Sequence, residues 1–423
     1  MIKFLWKGII RDKGRSLLPV IVVSIGVLCV VFLDGLMGGV MNNMVKMTAN
    51  FQTGHLKVMT RAYNGNEAQK PNDLALLEVD ELIKDLHQKY PNIDWNPRIS
   101  FGGLLDIPDS RGETKAQGPV AGSAYDLLSD DSKEAERLGL QKSLIAGQLI
   151  RRSGEIIISS DFADKFNVQP GDTLTFFGST MYGSMSFMNY AVAGVIRFGV
   201  GMLDKGAIIL DLSDARQLLD MDNAAGEILG FLPDEHYDRE ITESIKQDFN
   251  AAYADNSDEF APVMLQLADQ NGMRDSLSYM GSVSFIMVLL LVFALSIVLW
   301  NTGVLGGIRR YNEFGVRLAI GEEKKHIYHT LLVESLLIGG VGSVIGTAFG
   351  LGISYLISIY GIDYGAMMEN LSMMIDPVLR AEVTLRMFYI GFIPGVLSML
   401  IGTALSGQAI YKRNTAMLFK ELD

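Results

Sequence analysis

Four apolar runs, at 16–33, 276–308, 335–362 and 387–411, interrupt a chain that is otherwise polar or amphipathic. Each is long enough to cross a hydrocarbon core of about 30 Å as a helix, which takes roughly 17–25 residues. The pattern therefore predicts four membrane helices, with one very long polar stretch between the first and second.

Positive charge sets the expected orientation. Lys3, Lys7, Arg11, Lys13 and Arg15 precede the first run; Arg309, Arg310, Arg317, Lys324 and Lys325 fill the gap between the second and third; Lys412, Arg413 and Lys420 follow the fourth. The positive-inside rule places all three segments, and both termini, in the cytoplasm. The expected layout is a cytoplasmic amphipathic segment 1–15, spans at 16–40, 276–308, 330–362 and 387–411, an extracytoplasmic domain 41–275, a cytoplasmic segment 309–329, an outer loop 363–386 and a cytoplasmic tail 412–423. The net charge of −12 averages a basic inner rim with an acidic outer domain, and nucleic acid is not a partner this pattern predicts. A basic start before an apolar run also resembles a signal peptide, but the run is long and no A-x-A site follows, which favours an uncleaved anchor.

The long outer stretch reads as mixed α/β. Apolar residues at helical spacing predict a helix over 76–90, stopped by Pro91. Strands are expected at 99–107, 118–124, 155–159, 173–177, 189–197 and 207–210, with helices at 160–166 and 213–219. The segments 35–51 and 262–279 extend the adjoining spans with helix-compatible residues, and are read as a stalk carrying the outer domain. The fold class expected is thus a four-helix membrane protein with a large α/β extracytoplasmic domain.

Chemistry is sparse. Cys29, the single cysteine, falls within the first span, so the outer domain must be held by its own core. The five histidines are scattered, and HExxH, G-x-S-x-G and GxxxxGK[ST] are all absent, so these residues carry no P-loop and no recognisable catalytic or metal constellation. The expectation is a non-enzymatic chain that binds no cofactor.

Three features stand out instead. Between the second and third runs, a short helix would carry Arg309, Arg310 and Arg317 on one side and Phe314, Val316, Leu318 and Ile320 on others, offering apolar knobs to a partner's groove and cations to its acidic rim. The plain alternative is a loop whose arginines only fix topology. Gly342, Gly346 and Gly350 recur every four residues, forming a stripe where another helix, from this chain or a second subunit, can pack closely. Asp34 and Glu334 lie at the ends of their spans; Asp34 is read as an interface residue or a contact for substrate or stalk, and Glu334 as snorkelling or pairing with Lys324 or Lys325.

Glu313, Phe314, Gly315, Arg317, Ala319 and Gly321 occupy places that resemble the coupling motif Arg-Glu-Ile-Gly-x-x-Arg-Ala-x-Gly of the FtsX/MacB/Lol superfamily of ABC-transporter permeases, with Phe314 for isoleucine and Asn312 for arginine. The 155–174 stretch resembles that superfamily's helix-then-Gly-Asp element, and 192–204 is similar to a stretch of the lipoprotein-releasing LolC/LolE branch. The resemblance implies a MacB-like periplasmic core domain in a bacterial inner-membrane permease that works by mechanotransmission. It also implies two partner ATPase subunits that hold ATP and Mg, a second permease chain, identical or related, and contact with membrane lipids. Arg310, Glu313, Phe314, Gly315, Arg317, Ala319 and Gly321 become ATPase-coupling residues. Release of lipoproteins to a periplasmic carrier is placed first; a MacB-like exporter, with an adaptor, and an FtsX-like regulator of a cell-wall hydrolase are the alternatives. Between the expected strands at 173–177 and 189–197, an uncharged loop carries Met181, Tyr182, Met185, Phe187 and Met188, where the branch has a protruding hook; these residues are candidates for contact with a carrier, an adaptor or the substrate.

Overall fold

The structure, a computed structural model, describes residues 13–109, 111–197, 205–233, 235–270, 272–309, 316–363 and 378–412. Residues 43–276 build one compact unit, and the four apolar helices build another.

The first unit is organised by a ten-stranded sheet: β1 (Leu56–Thr60), β2 (Asp94–Pro108), β3 (Thr114–Tyr125), β4 (Leu144–Gly147), β5 (Glu155–Ser159), β6 (Thr173–Ser179), β7 (Met185–Ile196), β8 (Ala207–Asp211), β9 (Glu227–Phe231) and β10 (Pro262–Gln266). The order is β10-β1-β9-β2-β3-β8-β5-β7-β4, and β6 pairs with both β2 and β7. Strands β2, β3, β8, β5, β7 and β6 therefore close into a ring, which leaves none of them with a free edge inside it. Strand β2 belongs to two neighbourhoods: Asp94–Arg98 pair with β9, and Ile99–Pro108 with β3.

The apolar run Ile156-Ile157-Ile158 shows why β5 has no polar face. Ile156 and Ile158 join a core with Leu105, Phe176 and Tyr190, while Ile157 faces a second core with Ile209, Leu138 and Leu140. A strand covered on both sides reads as continuous hydrophobicity rather than alternation. The longer helices of this unit are α2 (Val79–Lys89), α3 (Ser160–Phe166), α4 (Leu212–Leu219) and α5 (Arg239–Ala252). On α5, Asn250 donates from Nδ2 to the Met264 carbonyl and accepts the Met264 N–H, both at 2.8 Å, and so occupies the outer edge of β10 as a strand would.

The second unit comprises α1 (Lys13–Thr48) as far as Asn42, α6 (Met273–Arg309) from Leu277 on, α7 (Lys324–Tyr360) and α8 (Phe392–Lys412). All four are long and apolar enough to cross a membrane. The α1 helix runs on to a π-helical turn, Ala49–Thr53.

Several expectations need correction. The helix predicted from 76 starts only at Val79, because Leu76 exchanges backbone hydrogen bonds with Ala225 and Glu78 has a φ of +53°. Pro262–Gln266, read as part of a helical stalk, is strand β10 paired with β1 from Thr60↔Pro262 to Leu56↔Gln266. Five apolar-leaning residues suit either state, and the waiting partner strand decides. Residues 324–329, the end of the expected cytoplasmic segment, are helical as the first turns of α7, which agrees with that expectation as well as with any other. Residues 1–12, most of the expected amphipathic segment, lie outside the described residues.

Candidate functional site

Three places carry the sequence candidates, and a fourth emerges only from the fold. In the segment before α7, Arg310, Glu313, Phe314 and Gly315 lie outside the described residues. The part that is described, 316–319, is helical and ends at Gly321, whose φ of +99° favours glycine. Val316 and Ile320 are 59% and 81% exposed, and Ala319 is also on the surface, beside half-buried Arg317. The segment thus presents apolar side chains next to a cation, without a covering element from its own chain among the described residues.

The glycine stripe finds its partner within the chain. A Cβ built on Gly342 would lie 2.7 Å from Val23 Cγ1; on Gly346, 2.7 Å from Val27 Cβ; on Gly350, 2.8 Å from Val31 Cβ. Both helices therefore meet through residues four apart, valines on α1 sitting in the notches of α7, as close packing between apolar helices requires. Asp34, one turn beyond Val31 on α1, pairs with Arg386 at 3.6 Å. Glu334 is half-buried on α7. Lys324 and Lys325 are nine or ten residues away on the same helix, a rise of roughly 14–15 Å at 1.5 Å per residue, so the expected pairing is sterically out of reach.

The expected loop at 178–188 is mostly strand. The β6–β7 hairpin continues through Ser179↔Met185, leaving only a turn at 180–184 in which Gly183 has a φ of +81°. Met181 and Met188 pack against the domain core, and the tip is fastened to α4 by Met181 N donating to the Leu219 carbonyl at 2.8 Å and Ser186 Oγ to the Leu218 carbonyl at 2.6 Å. Tyr182, Met185 and Phe187 remain 73%, 83% and 68% exposed. In the sheet register Phe187 lies opposite Phe177, which lies opposite Leu104, itself 43% exposed, so an apolar row crosses three strands. The turn also lines a cleft of about 950 Å³ together with Lys70, Asn72, Gly102 and Gly122.

The fourth place is a buried charge cluster at the π-helical end of α1. Arg98 donates to both oxygens of Glu134, at 2.8 and 3.1 Å; Arg137 donates to Glu134 and, at 2.5 Å, to Asp94. Arg98 Nη1 donates to the Asn50 carbonyl at 2.6 Å, and Asn50 Nδ2 to the Arg137 carbonyl at 2.9 Å. Arg137 also lies over the Phe231 ring, 3.8 Å from its centroid. The two buried arginines face buried Glu134 and, at the solvent edge, Asp94, so that two carboxylates balance two cations and make the burial of the arginines tolerable. Through Asn50, the cluster binds the helix end to strand β2. Beside it, His55 is held neutral: burial, reinforced by the Arg137 charge, lowers its pKa to about 4, and its Nδ1 accepts the Leu232 N–H at 3.0 Å. Nothing in the sequence pointed to this cluster, because its members are spread from Asn50 to Arg137 and each resembles a surface residue.

Residues 285–415 match the FtsX-like permease C-terminal family, and residues 16–247 match the MacB-like periplasmic core domain. The second match covers more than half of the sequence, and the chain belongs to the FtsX/MacB superfamily of ABC-type permeases. A probable export ATP-binding/permease protein MacB of Pseudomonas entomophila is 21% identical over 375 residues, covering 85% of this chain and 51% of that protein. A macrolide export ATP-binding/permease protein MacB of Hyphomonas neptunium is 34% identical over 100 residues, covering 21% of this chain and 16% of that one. The chain spans about half, or less, of the length of the curated relatives it matches. The periplasmic region of MacB from Actinobacillus actinomycetemcomitans aligns over 53% of this chain and 92% of its own, with 13% identity and a TM-score of 0.34, a likeness too slight to argue from.

Proposed function

We propose that this chain is the permease of a mechanotransmission ABC transporter in a bacterial inner membrane, with its termini in the cytoplasm and its sheet domain in the periplasm. ATP and Mg are held by two ATPase subunits that dock on the segment around Arg317 and Ile320. Their closure displaces the membrane helices, and the displacement reaches the periplasmic domain through α1. The observation that carries this reading is the anchorage of the α1 terminus: Asn50 is locked by Arg98 and Arg137 to the sheet, so a shift of that helix end is delivered to β2 rather than lost in a flexible linker. A second permease chain completes the assembly.

The cargo is amphiphilic. The names of the curated relatives favour export, and the exposed row Leu104–Phe177–Phe187 with Tyr182 and Met185 offers an apolar surface for an adaptor or for the cargo itself. Lipoprotein release is the second reading, favoured by the apolar β6–β7 tip at the place where the LolC/LolE branch bears its hook. An acyl chain retains about 0.8 kcal/mol of membrane affinity per buried CH₂, so a multiply acylated protein leaves only when work is supplied. The two readings separate in one experiment: cells depleted of this chain are assayed for lipoproteins retained in the inner membrane and, in parallel, for sensitivity to amphiphilic toxins. Retention supports release, sensitivity supports export, and neither defect removes transport from the proposal.

A further inference from the structure

The segment between α7 and α8 does more than connect them. Arg380 Nη1 donates to the carbonyls of Ser358 at 3.0 Å and Ile359 at 2.7 Å, so a cation closes the last turn of α7, where carbonyls lack helical partners. Two residues further, the Glu382 N–H donates to the Gly35 carbonyl of α1 at 3.0 Å. Arg386 reaches Asp34, and Met387, fully buried, fills the space beside Gly35, where a Cβ would lie 2.8 Å from its methyl. The backbone of Arg380 occupies the notch at Gly39 so closely that no Cβ fits there. A two-residue ladder, Ile362↔Leu379 and Asp363↔Val378, fixes where the segment begins.

The contacts just described join α1 and α7 rather than α6. The α6 helix meets the others through a narrower face, with Met287, Val288 and Leu291 beside Val30, Leu33 and Met37 of α1, Leu295 at Gly26 and Leu299 at Gly402, while Tyr279, Phe285 and Leu290 stay exposed. Only 12% of its most apolar stretch is buried, against 33% for α1 and 39% for α7 and α8.

We propose that residues 378–387 are a strap in which Arg380 and Arg386 are positioning residues and residue 382 contributes its backbone N–H, clamping residues 34–39 of α1 to α7 and α8 so that these three helices move as one body while α6 moves against them. The inference deepens the mechanotransmission reading and rests on it for its purpose. The strap itself is defined by contacts alone.

The test uses the full chain in native membranes, with Cys29→Ser to remove the single thiol. A Cβ on Gly38 lies 3.5 Å from Glu382 Cβ, within the range a disulfide spans. Gly38→Cys with Glu382→Cys should cross-link under mild oxidation to the same extent in nucleotide-free membranes and with ATP and vanadate, and the oxidised protein should retain its ATP-driven activity. A second set guards against misfolding: Arg386→Asp should lower both thermal midpoint and ATP coupling, Arg386→Lys should retain them, and Asp34→Arg with Arg386→Asp should restore much of the loss. Failure to cross-link, loss of the cross-link with ATP, or a stalled oxidised protein overturns the strap. If no ATPase co-purifies with the unmodified chain, the transport reading fails, whereas the cross-link yield and the charge-swap rescue still decide the strap.

Discussion

Gly346 on α7 and Val27 on α1 face each other so closely that a Cβ on the glycine would stand 2.7 Å from that of the valine. The contact lies in the middle of a stripe running from Gly342 to Gly350, and it accounts for a glycine every fourth residue in a helix that would otherwise tolerate larger residues. Where association gains little from hydrophobicity, closeness of approach supplies the attraction.

Gly346→Leu should therefore force α1 and α7 apart, with an overpacking cost of about 1–3 kcal/mol. Ile345→Leu, at a position 37% exposed, should leave the thermal midpoint in detergent unchanged. Equal midpoints for the two variants would remove the stripe from the packing argument.

Docking of an ATPase is expected to depend on Arg317 and Ile320. Arg317→Glu and Ile320→Asp, both on a surface segment, should leave membrane insertion intact and reduce ATPase co-purification by about tenfold or more, since loss of a partnered charge at an interface costs about 2–5 kcal/mol. Undiminished recovery of the ATPase with both variants would show that the segment serves topology alone.

The hairpin tip allows a cleaner test than deletion, because Met181 and Met188 hold it to the core and should be left in place. The triple replacement Tyr182→Ser, Met185→Ser and Phe187→Ser removes exposed apolar surface only. It should preserve the fold and ATPase binding while abolishing transport in cells; unaltered transport would exclude the tip from cargo or adaptor contact.

Glu134 holds Arg98 and Arg137 together in a site with no solvent exposure of its side chain. Glu134→Gln should destabilise the domain by about 3–5 kcal/mol, the usual penalty for stranding a buried charge. A chemical denaturation curve of the chain carrying Trp6→Phe and Trp300→Phe, followed through the remaining Trp95 in the domain, would reveal it. A midpoint equal to that of the parent would mean the cluster is far wetter than it looks.

His55 gives a pH signature with a defined sign. Its folded pKa, about 4, lies below the ordinary 6.5, so between those values the unfolded chain binds the extra proton and stability falls as pH drops from about 6.5 towards 4. The full effect is roughly 3 kcal/mol at about 1.4 kcal/mol per pH unit. His55→Asn, which keeps an acceptor for the Leu232 N–H, should flatten this part of the pH–stability profile, and an unchanged slope would assign it to other groups.

The sequence by itself determined the four apolar helices, the strands at 155–159 and 207–210 and the α3 helix, because each depends on local periodicity or on a run buried on both faces. It also marked the glycine stripe, since spacing of four is a property of one helix. Only tertiary structure decided what that stripe meets, because Val23, Val27 and Val31 carry no label for their partner. Tertiary structure likewise turned 262–266 into a strand, drew 185–188 into the sheet, and assembled Asn50, Arg98, Glu134 and Arg137 into a buried cluster. In those places the state of a segment is set by a partner distant in the chain: Pro262 pairs with Thr60, and Glu134 with Arg98. Backbone hydrogen bonds and compensating charges across such distances leave no periodic trace along the sequence, and folding must bring them together before they exist.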